Sequence, residues 1–584
     1  MHPRPRSIEP WSLTLELVLM ESSTSLQFRG QTPECLKFGT SGLRGKVDAM
    51  TDLEVYINTT GFLEYLLGMH AIQAGDPVCL GGDLRPSTDG DKRSILRAVA
   101  KAVEDLGLVI RFLGRLPTPA LMFDALQANC ASIMVTGSHI PFDRNGIKFN
   151  KPNGEVLKAD ESPILSSVHA TRRLQYAMPA ERSLFDDHGW FKDSSSKTWP
   201  ASAHLEATER YLDRYRGFFP AGSLEGMECL VYQHSAVGRD LLAKLLESLG
   251  AKVWKVGKSE RFVPIDTEDI SAEQLNELQR MLEEVIAQGG KPTALVSTDG
   301  DSDRPLVCGV DSWGRLQFIP GDLLGCLSAD FLKAETVVVP ISANDAVDQH
   351  LARKGIHPYK TKIGSPHVIA TMQALKESKQ DAIVGWEANG GFLLSSPVEG
   401  EHGALQPLET RDAFLPILCV LRACQVSSKQ VVDLMGELPA RFGKAGLIDA
   451  FPQAASRSLI QRWTPPLDQL VDWRWHKRTI TLHFAHGDHR EADHDEALLI
   501  AHLCEEAARF FTPEAGYGTI TRINYMDGVR FYFDSGDIAH IRPSGNAPQL
   551  RFYAVANSQQ RAEQMVRDAL AEPSGLLRSM ELES

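Results

Sequence analysis

Paired cysteines are what this chain lacks first. Its nine cysteines are scattered, and no two stand as C-x-x-C. That excludes a disulfide framework and fits reduced thiols in a cytoplasmic protein. Long apolar runs are also missing. The one stretch near the N-terminus, residues 11–20, is interrupted by Glu16 and has no small-residue cleavage site after it. It is too short to span a bilayer and makes a poor signal peptide, so no membrane partner is expected. There is no basic stripe, and the formal net charge is −14, which argues against nucleic acid as a partner. An anionic small molecule remains allowed, but local cations or backbone donors must then meet its charge. No short-period repeat is present.

What is present is an α/β pattern. A chain of 584 residues suggests about four domains at roughly 150 residues each. Apolar β-type runs alternate with amphipathic helical patterns. Strands are expected at 77–80, 108–113 and 131–135, with a helix over 91–106. A second unit has strands at 229–232, 252–256 and 294–297 around a helix at 238–249, and 181–203 reads as a long connection. A third has strands at 336–339 and 382–384 and helices at 322–332 and 344–354. Beyond residue 440 the segments 478–484, 528–533 and 550–555 alternate like half-exposed strands, and a helix closes the chain at 558–571. The expected fold is therefore three α/β domains (35–190, 191–310 and 311–440) and a C-terminal α+β domain (441–584). Residues 1–34, with Arg4 and Arg6, read as an extension, and Met20 is an alternative start.

Four loops carry chemistry. T-G-S-H-I-P-F-D-R-N-G-I-K, residues 136–148, follows an apolar strand, the place where open α/β sheets hold ligands. Ser138 is a hydroxyl that could accept a phosphoryl group if charge were offset nearby, and His139 and Lys148 are the helpers; a plain hydrogen-bonded turn is the rival reading. D-G-D-S-D-R, residues 299–304, sets Asp299, Asp301 and Asp303 at alternate positions, where they can converge on one hard cation. An EF-hand would need Gly at 304 and Glu at 310, where Arg and Val stand, so Mg²⁺ with open positions for phosphate is the better fit. Arg304 could grip a phosphate oxygen. R-P-S-G-N-A-P, residues 542–548, groups Arg542, Ser544, Gly545 and Asn546 as an anion cradle, with Arg551 just beyond. G-W-E-A-N-G-G-F, residues 385–392, offers Glu387 and Asn389, a carboxylate and an amide suited to sugar hydroxyls.

In this order the four loops resemble the α-D-phosphohexomutase family, which includes phosphoglucomutases, phosphomannomutases and phosphoglucosamine mutases. The likeness runs from about Phe38 to the end. F-G-T-S-G-L-R-G at 38–45 looks like the family's opening loop and brings in Arg44. The serine loop is usually T-A-S-H-N-P with N-G-x-K; here it is T-G-S-H-I-P with N-G-I-K. The metal loop D-G-D-x-D-R is matched in full. R-P-S-G-T-E-P is matched except at Asn546 and Ala547. The sugar loop departs further. G-E-x-S-G-H keeps Glu387, but Asn389 replaces Ser and Gly391 replaces His. In K-I-G-S-P-H, residues 362–367, Ser365 stands where many members have His, and His367 lies two residues on. The loops look most like those of a bacterial phosphomannomutase subgroup.

The resemblance implies four domains around a central cleft, each giving one loop. It implies a phosphoserine at Ser138, which joins the three aspartates around one Mg²⁺, and a hexose 1,6-bisphosphate as activator and intermediate. Hexose 6-phosphate and hexose 1-phosphate would interconvert, with mannose first and glucose as the alternative. A non-catalytic sugar-phosphate binder is the rival from another class. Lys148, with its pKa lowered by a bound cation, would transfer the proton. Arg44 would support charge, Lys362 would bind the substrate, and the 542–551 cradle would hold the non-reacting phosphate. Reorientation without escape implies that the fourth domain acts as a lid. A monomer or small homo-oligomer is expected.

Overall fold

The computed structural model describes residues 27–39, 42–90, 94–193, 202–400, 402–476, 479–485, 487–544 and 548–582. Most of the expected extension, including Arg4, Arg6 and Met20, lies outside them, as do Gly545 and Asn546 of the cradle.

The first three sheets are built on one plan. In the first, Pro77–Gly82 pairs in parallel with Val109–Arg115 and with Ala131–Val135, and the latter turns back antiparallel into Arg144–Lys151. Gly42–Lys46 and Lys37–Gly39 extend the sheet beyond that strand. In the second, Glu228–His234 pairs in parallel with Lys252–Lys258 and Ala294–Thr298, and Ala294–Thr298 turns back antiparallel into Pro305–Val310. In the third, Thr336–Pro340 pairs in parallel with Tyr359–Thr361 and Ile383–Trp386, and the latter turns back into Phe392–Leu394. Each of the three candidate loops is thus the connection between a parallel strand and its antiparallel neighbour. These parallel strands are buried along their whole length. That is why they read as unbroken apolar runs rather than as alternations. The second sheet continues through Leu316–Phe318, past the limit of 310 expected from the sequence.

The C-terminal sheet differs in kind. Its eight strands are all antiparallel, in the order Phe442–Ile448, Leu550–Ala556, Ile538–Pro543, Val529–Phe533, Ile520–Asn524, Leu470–His476, Thr479–Phe484 and His489–Glu491. The candidate cradle joins Ile538–Pro543 to Leu550–Ala556, so it too is a hairpin connection.

Helix starts follow side-chain capping. Ser94 caps Ile95–Asp105, Ser558 caps Gln559–Leu570, and Ser271 forms a reciprocal box with Gln274 at the start of Ala272–Ala287. The helix expected from 91 begins at Ile95, with 91–93 outside the described residues. The stretch expected as a connection is not bare: Phe185 is fully buried in the first core with its ring stacked 5.2 Å from Phe191. Residues 194–201 of that stretch are not described.

One continuous apolar cluster runs through the first three units, with Met122, Tyr211, Val296, Val339, Trp386 and Phe414 among its members. The fourth unit has its own core around Trp463, Trp473, Phe531 and Phe552. It meets the rest through polar contacts. Arg441 binds Asp345 at 2.8 Å, Asn344 Nδ2 donates to the Arg441 carbonyl at 3.0 Å, and Arg530 reaches the Ala343 carbonyl at 3.2 Å. Small polar seams of this kind allow domain motion that a shared apolar core resists. No helix among the described residues is long and apolar enough to cross a membrane.

Candidate active site

The serine loop is held by a buried pair that motif reading passed over. Asp83 and Arg85, both fully buried, follow Pro77–Gly82. Asp83 accepts hydrogen bonds from Thr88, Thr136 and the Gly137 amide. Arg85 spends all its donors on this region. Nε goes to Asp83 at 3.2 Å, Nη1 to the carbonyls of Pro141 and Arg144 at 2.7 and 3.0 Å, and Nη2 to those of Ser138 and Ile140 at 2.9 and 2.6 Å. Phe262 of the second unit lies over the guanidinium at 3.8 Å. A Cβ at residue 137 would stand 2.6 Å from Arg85 Cζ, so the glycine at 137 leaves room for the arginine. Ser138 itself is buried with φ +53°, a left-handed conformation that a non-glycine residue keeps only when its surroundings hold it.

Arg85→Lys is accordingly expected to lower kcat by about 10²-fold, the scale of a small misplacement of a reacting group, with KM close to wild type. A lysine cannot serve four carbonyls at once. Steady-state kinetics below the melting temperature check this, and a change confined to KM would contradict it.

The metal loop meets the serine loop directly. Ser138 Oγ donates to Asp299 Oδ2 at 2.5 Å and lies 3.3 Å from His139 Nδ1. Asp299, Asp301 and Asp303 are all buried, and each turns one carboxylate oxygen to within 4.8 Å of the others. Asp301 Oδ1 and Asp303 Oδ1 have no hydrogen-bond partner. Buried, unpaired carboxylate oxygens are costly unless a cation meets them. The triad could therefore hold a metal ion, and an all-oxygen donor set suits a hard one. Thr118 anchors the loop through its amide, 2.9 Å from the Asp301 carbonyl, and through its hydroxyl, which donates to Asp301 Oδ2.

Cations crowd around these carboxylates. Lys148 Nζ lies 2.6 Å from both Asp301 Oδ2 and Asp303 Oδ2. Burial opposes its charge, but Asp301 and Asp303 outweigh burial and hold its pKa above the ordinary value. Lys148 is thus an ion-pair partner of both Asp301 and Asp303. Burial and the neighbouring Asp301 and Asp303 push Asp299 well up. Burial raises Asp303 too, but Arg411, Lys148 and Arg304 overcome it and hold its carboxyl below the usual range. Arg304 and burial keep His139 far down, and burial with Arg304 and Arg411 brings Arg44 to about 10. Arg304 sits 3.7 Å from Asp303 Oδ1.

Glu387 and Asn389 are buried beside this cluster. Asn389 Oδ1 accepts from the Gly391 amide at 3.0 Å, so its amide shapes its own loop. Its carbonyl accepts from Thr267 of the second unit at 2.9 Å. Two residues on, Asp269 binds Lys444 of the fourth unit at 2.7 Å. Glu268 stands between them and is exposed. Arg542 and Arg551 stand directly opposite each other on adjacent strands, so their side chains share a face. Like charges so placed repel unless an anion lies near. Arg542 Nε binds Asp527 at 3.0 Å, and the same carboxylate oxygen takes the Ile363 amide at 2.9 Å, which brings exposed Lys362 alongside. Ser544 is half-buried, and its amide pairs with the Gln549 carbonyl.

The arrangement, a serine joined to a carboxylate triad with arginines set apart for an anion, is that of a phosphoryl-transfer enzyme. Residues 36–174 match domain I, and residues 320–442 match domain III, of phosphoglucomutase/phosphomannomutase. The chain is 34% identical to a phosphomannomutase of Sinorhizobium fredii, covering 92% of this chain and 98% of that protein. It is 33% identical to one from Salmonella muenchen, covering 92% and 95%. A phosphoglucomutase/phosphomannomutase family protein from Burkholderia thailandensis shares the fold, with TM-score 0.57, 16% identity and coverage of 92% and 97%. So does the open form of parafusin, a phosphoglucomutase from Paramecium, with TM-score 0.55, 16% identity and coverage of 93% and 94%. The chain belongs to the phosphoglucomutase/phosphomannomutase family, and it is an isomerase that works by intramolecular phosphoryl transfer.

Proposed function

We propose that the chain is a phosphomannomutase that interconverts mannose 6-phosphate and mannose 1-phosphate through phosphorylated Ser138. The observation that carries this reading is the 2.5 Å bond from Ser138 Oγ to Asp299 Oδ2. It joins the phosphoryl carrier to the cation site, while Arg542 and Arg551 stand ready for a second phosphate. In the first transfer the bond from Ser138 Oγ to phosphorus breaks as a sugar hydroxyl oxygen bonds to phosphorus. The hydroxyl proton leaves to a base, for which Lys148, 2.6 Å from both Asp301 and Asp303, is the candidate. The resulting hexose 1,6-bisphosphate turns over in the cleft, and its other phosphoryl group returns to the serine. Asp299, Asp301 and Asp303, with the phosphoserine, would hold Mg²⁺, which offsets charge on the moving group. Arg304 and Arg44 support the same charge. Lys362, Arg542, Ser544 and Arg551, with Gly545 and Asn546, grip the phosphate that does not react, so that remote binding positions the reacting oxygen. Glu387 and Asn389 face the sugar hydroxyls.

The four units 35–190, 191–310, 311–440 and 441–584 are the proposed domains. The polar seam at Arg441 supports the fourth as the moving lid. The nine cysteines are unpaired, which supports a cytoplasmic setting; a phosphoprotein, as a monomer or small homo-oligomer, completes the proposal. Phosphoglucomutase activity is the second reading, because this chain's sugar loop departs from the family pattern at Asn389 and Gly391. Turnover of mannose 1-phosphate and glucose 1-phosphate, each with Mg²⁺ and a trace of its bisphosphate, tests both. Faster conversion of the mannose ester supports the first reading and faster conversion of the glucose ester the second. No conversion of either overturns both and favours a sugar-phosphate binder.

A further inference from the structure

One buried residue that joins two of the site's loops belongs to none of the four. Arg411 lies in Leu408–Asp412, the last strand of the third sheet, and is 3% exposed. Its Nε and Nη2 reach Asp303 Oδ2 at 3.2 and 2.9 Å, and its Nη1 reaches Glu387 Oε2 at 2.8 Å. In both carboxylates it takes one oxygen and leaves the other. Asp303 Oδ1 has no hydrogen-bond partner and lies 3.7 Å from Arg304 Nε, and of Glu387 the arginine takes only Oε2. A guanidinium is suited to this role because its donors are fixed in a rigid plane and it stays charged when buried.

We propose that Arg411 is a positioning residue that sets the metal loop and the sugar loop against each other, aiming Asp303 Oδ1 at the cation and Glu387 Oε1 at the sugar. The sugar arm of this inference rests on the mutase reading above; the metal arm does not. Partners that orient a ligating carboxylate through its second oxygen commonly change metal affinity when altered. A second observation gives the arginine its room. A Cβ at residue 391 would lie 2.6 Å from Arg411 Cδ and 2.8 Å from its Cγ. Gly391, standing where the family pattern has histidine, is therefore the space that the arginine stem fills. Residue 391 is not among the glycines with positive φ, so alanine there is excluded by the stem and not by the backbone.

The test uses the full-length protein and three variants, Arg411→Lys, Arg411→Met and Gly391→Ala. Mg²⁺ binding is measured by calorimetry without substrate, and KM for the better hexose 1-phosphate is measured separately. Arg411→Lys is expected to weaken Mg²⁺ by about 10- to 100-fold and to raise KM as well. Gly391→Ala keeps every charge but displaces the stem, and is expected to shift both quantities in the same direction. Thermal melting identifies any variant that fails to fold. Gly391→Ala keeps the test readable if Arg411→Met is lost, because it removes no charged group from the site. Wild-type Mg²⁺ affinity in folded Arg411→Lys overturns the proposal, as does a KM change with metal binding untouched, since that would mark Arg411 as a direct substrate contact. Failure of the wild type to convert any hexose phosphate would sink the mutase reading, while the calorimetry still judges Arg411.

Discussion

Ser138→Ala is expected to lower mutase turnover by about 10⁴-fold or more, the scale on which loss of a covalent nucleophile acts. Neighbouring hydroxyls do not offer a replacement. Thr136 Oγ1 donates to Asp83 at 2.8 Å and accepts from the Ser138 amide at 2.9 Å, so it is committed to building the turn. Thr118 is bound to Asp301. The variant should fold, because the loop is held through the backbone carbonyls that Arg85 grips rather than through the serine side chain. The check has two parts: turnover with matched bisphosphate, and transfer of labelled phosphoryl from that bisphosphate to the protein. Wild type should take up label and the variant should not. Activity within tenfold of wild type, or label on the alanine protein, would move the phosphoryl carrier elsewhere.

The same region shows what could and could not be read from sequence. Ser138, Asp299 and Glu387 were visible because each follows an apolar strand. In a doubly covered sheet such a strand is an unbroken apolar run, and the polar loop after it stands out. The chain reverses direction there in all three units, so the loops that looked alike in composition are alike in topology. Arg411 left no comparable trace. It sits mid-strand in T-R-D, and its partners Asp303 and Glu387 lie 108 and 24 residues away in sequence. A charged pair inside a short strand was the available signal, since such residues are rarely buried without a partner. Arg85 was closer to view in G-G-D-L-R-P-S-T, but its five bonds go to residues 83 and 138–144, and a lone D-x-R does not announce them. The direction of the Lys148 pKa could not be read either. It depends on two carboxylates 153 and 155 residues away and on which cation occupies the triad.

That occupancy carries the second large effect. With ligand oxygens within 4.8 Å of one another, each pair of ionised aspartates repels by about 3 kcal/mol at an effective dielectric constant of roughly 20. Lys148, Arg304 and Arg411 relieve this, but Asp301 Oδ1 and Asp303 Oδ1 remain buried without a hydrogen bond, a cost that a divalent ion would offset. Chelation should therefore lower turnover by about 10³-fold, corresponding to several kcal/mol of transition-state stabilisation. It should also lower the melting temperature, because an ion that binds only the folded chain stabilises it. Mg²⁺ should restore both. Asp301→Ala should lose the response to Mg²⁺ in both measurements, and its melting temperature should no longer depend on the chelator. Lys148, which faces Asp301 and Asp303 together, separates the contributions. If its ammonium balances Asp301 and Asp303, then Lys148→Met should show a larger Mg²⁺-induced rise in melting temperature than wild type, because more repulsion is left for the ion to relieve. An unchanged rise would mean that the amine and the metal do not share the space between the two carboxylates. Full turnover after complete chelation would mean that the triad's charge is balanced by the protein alone throughout the reaction.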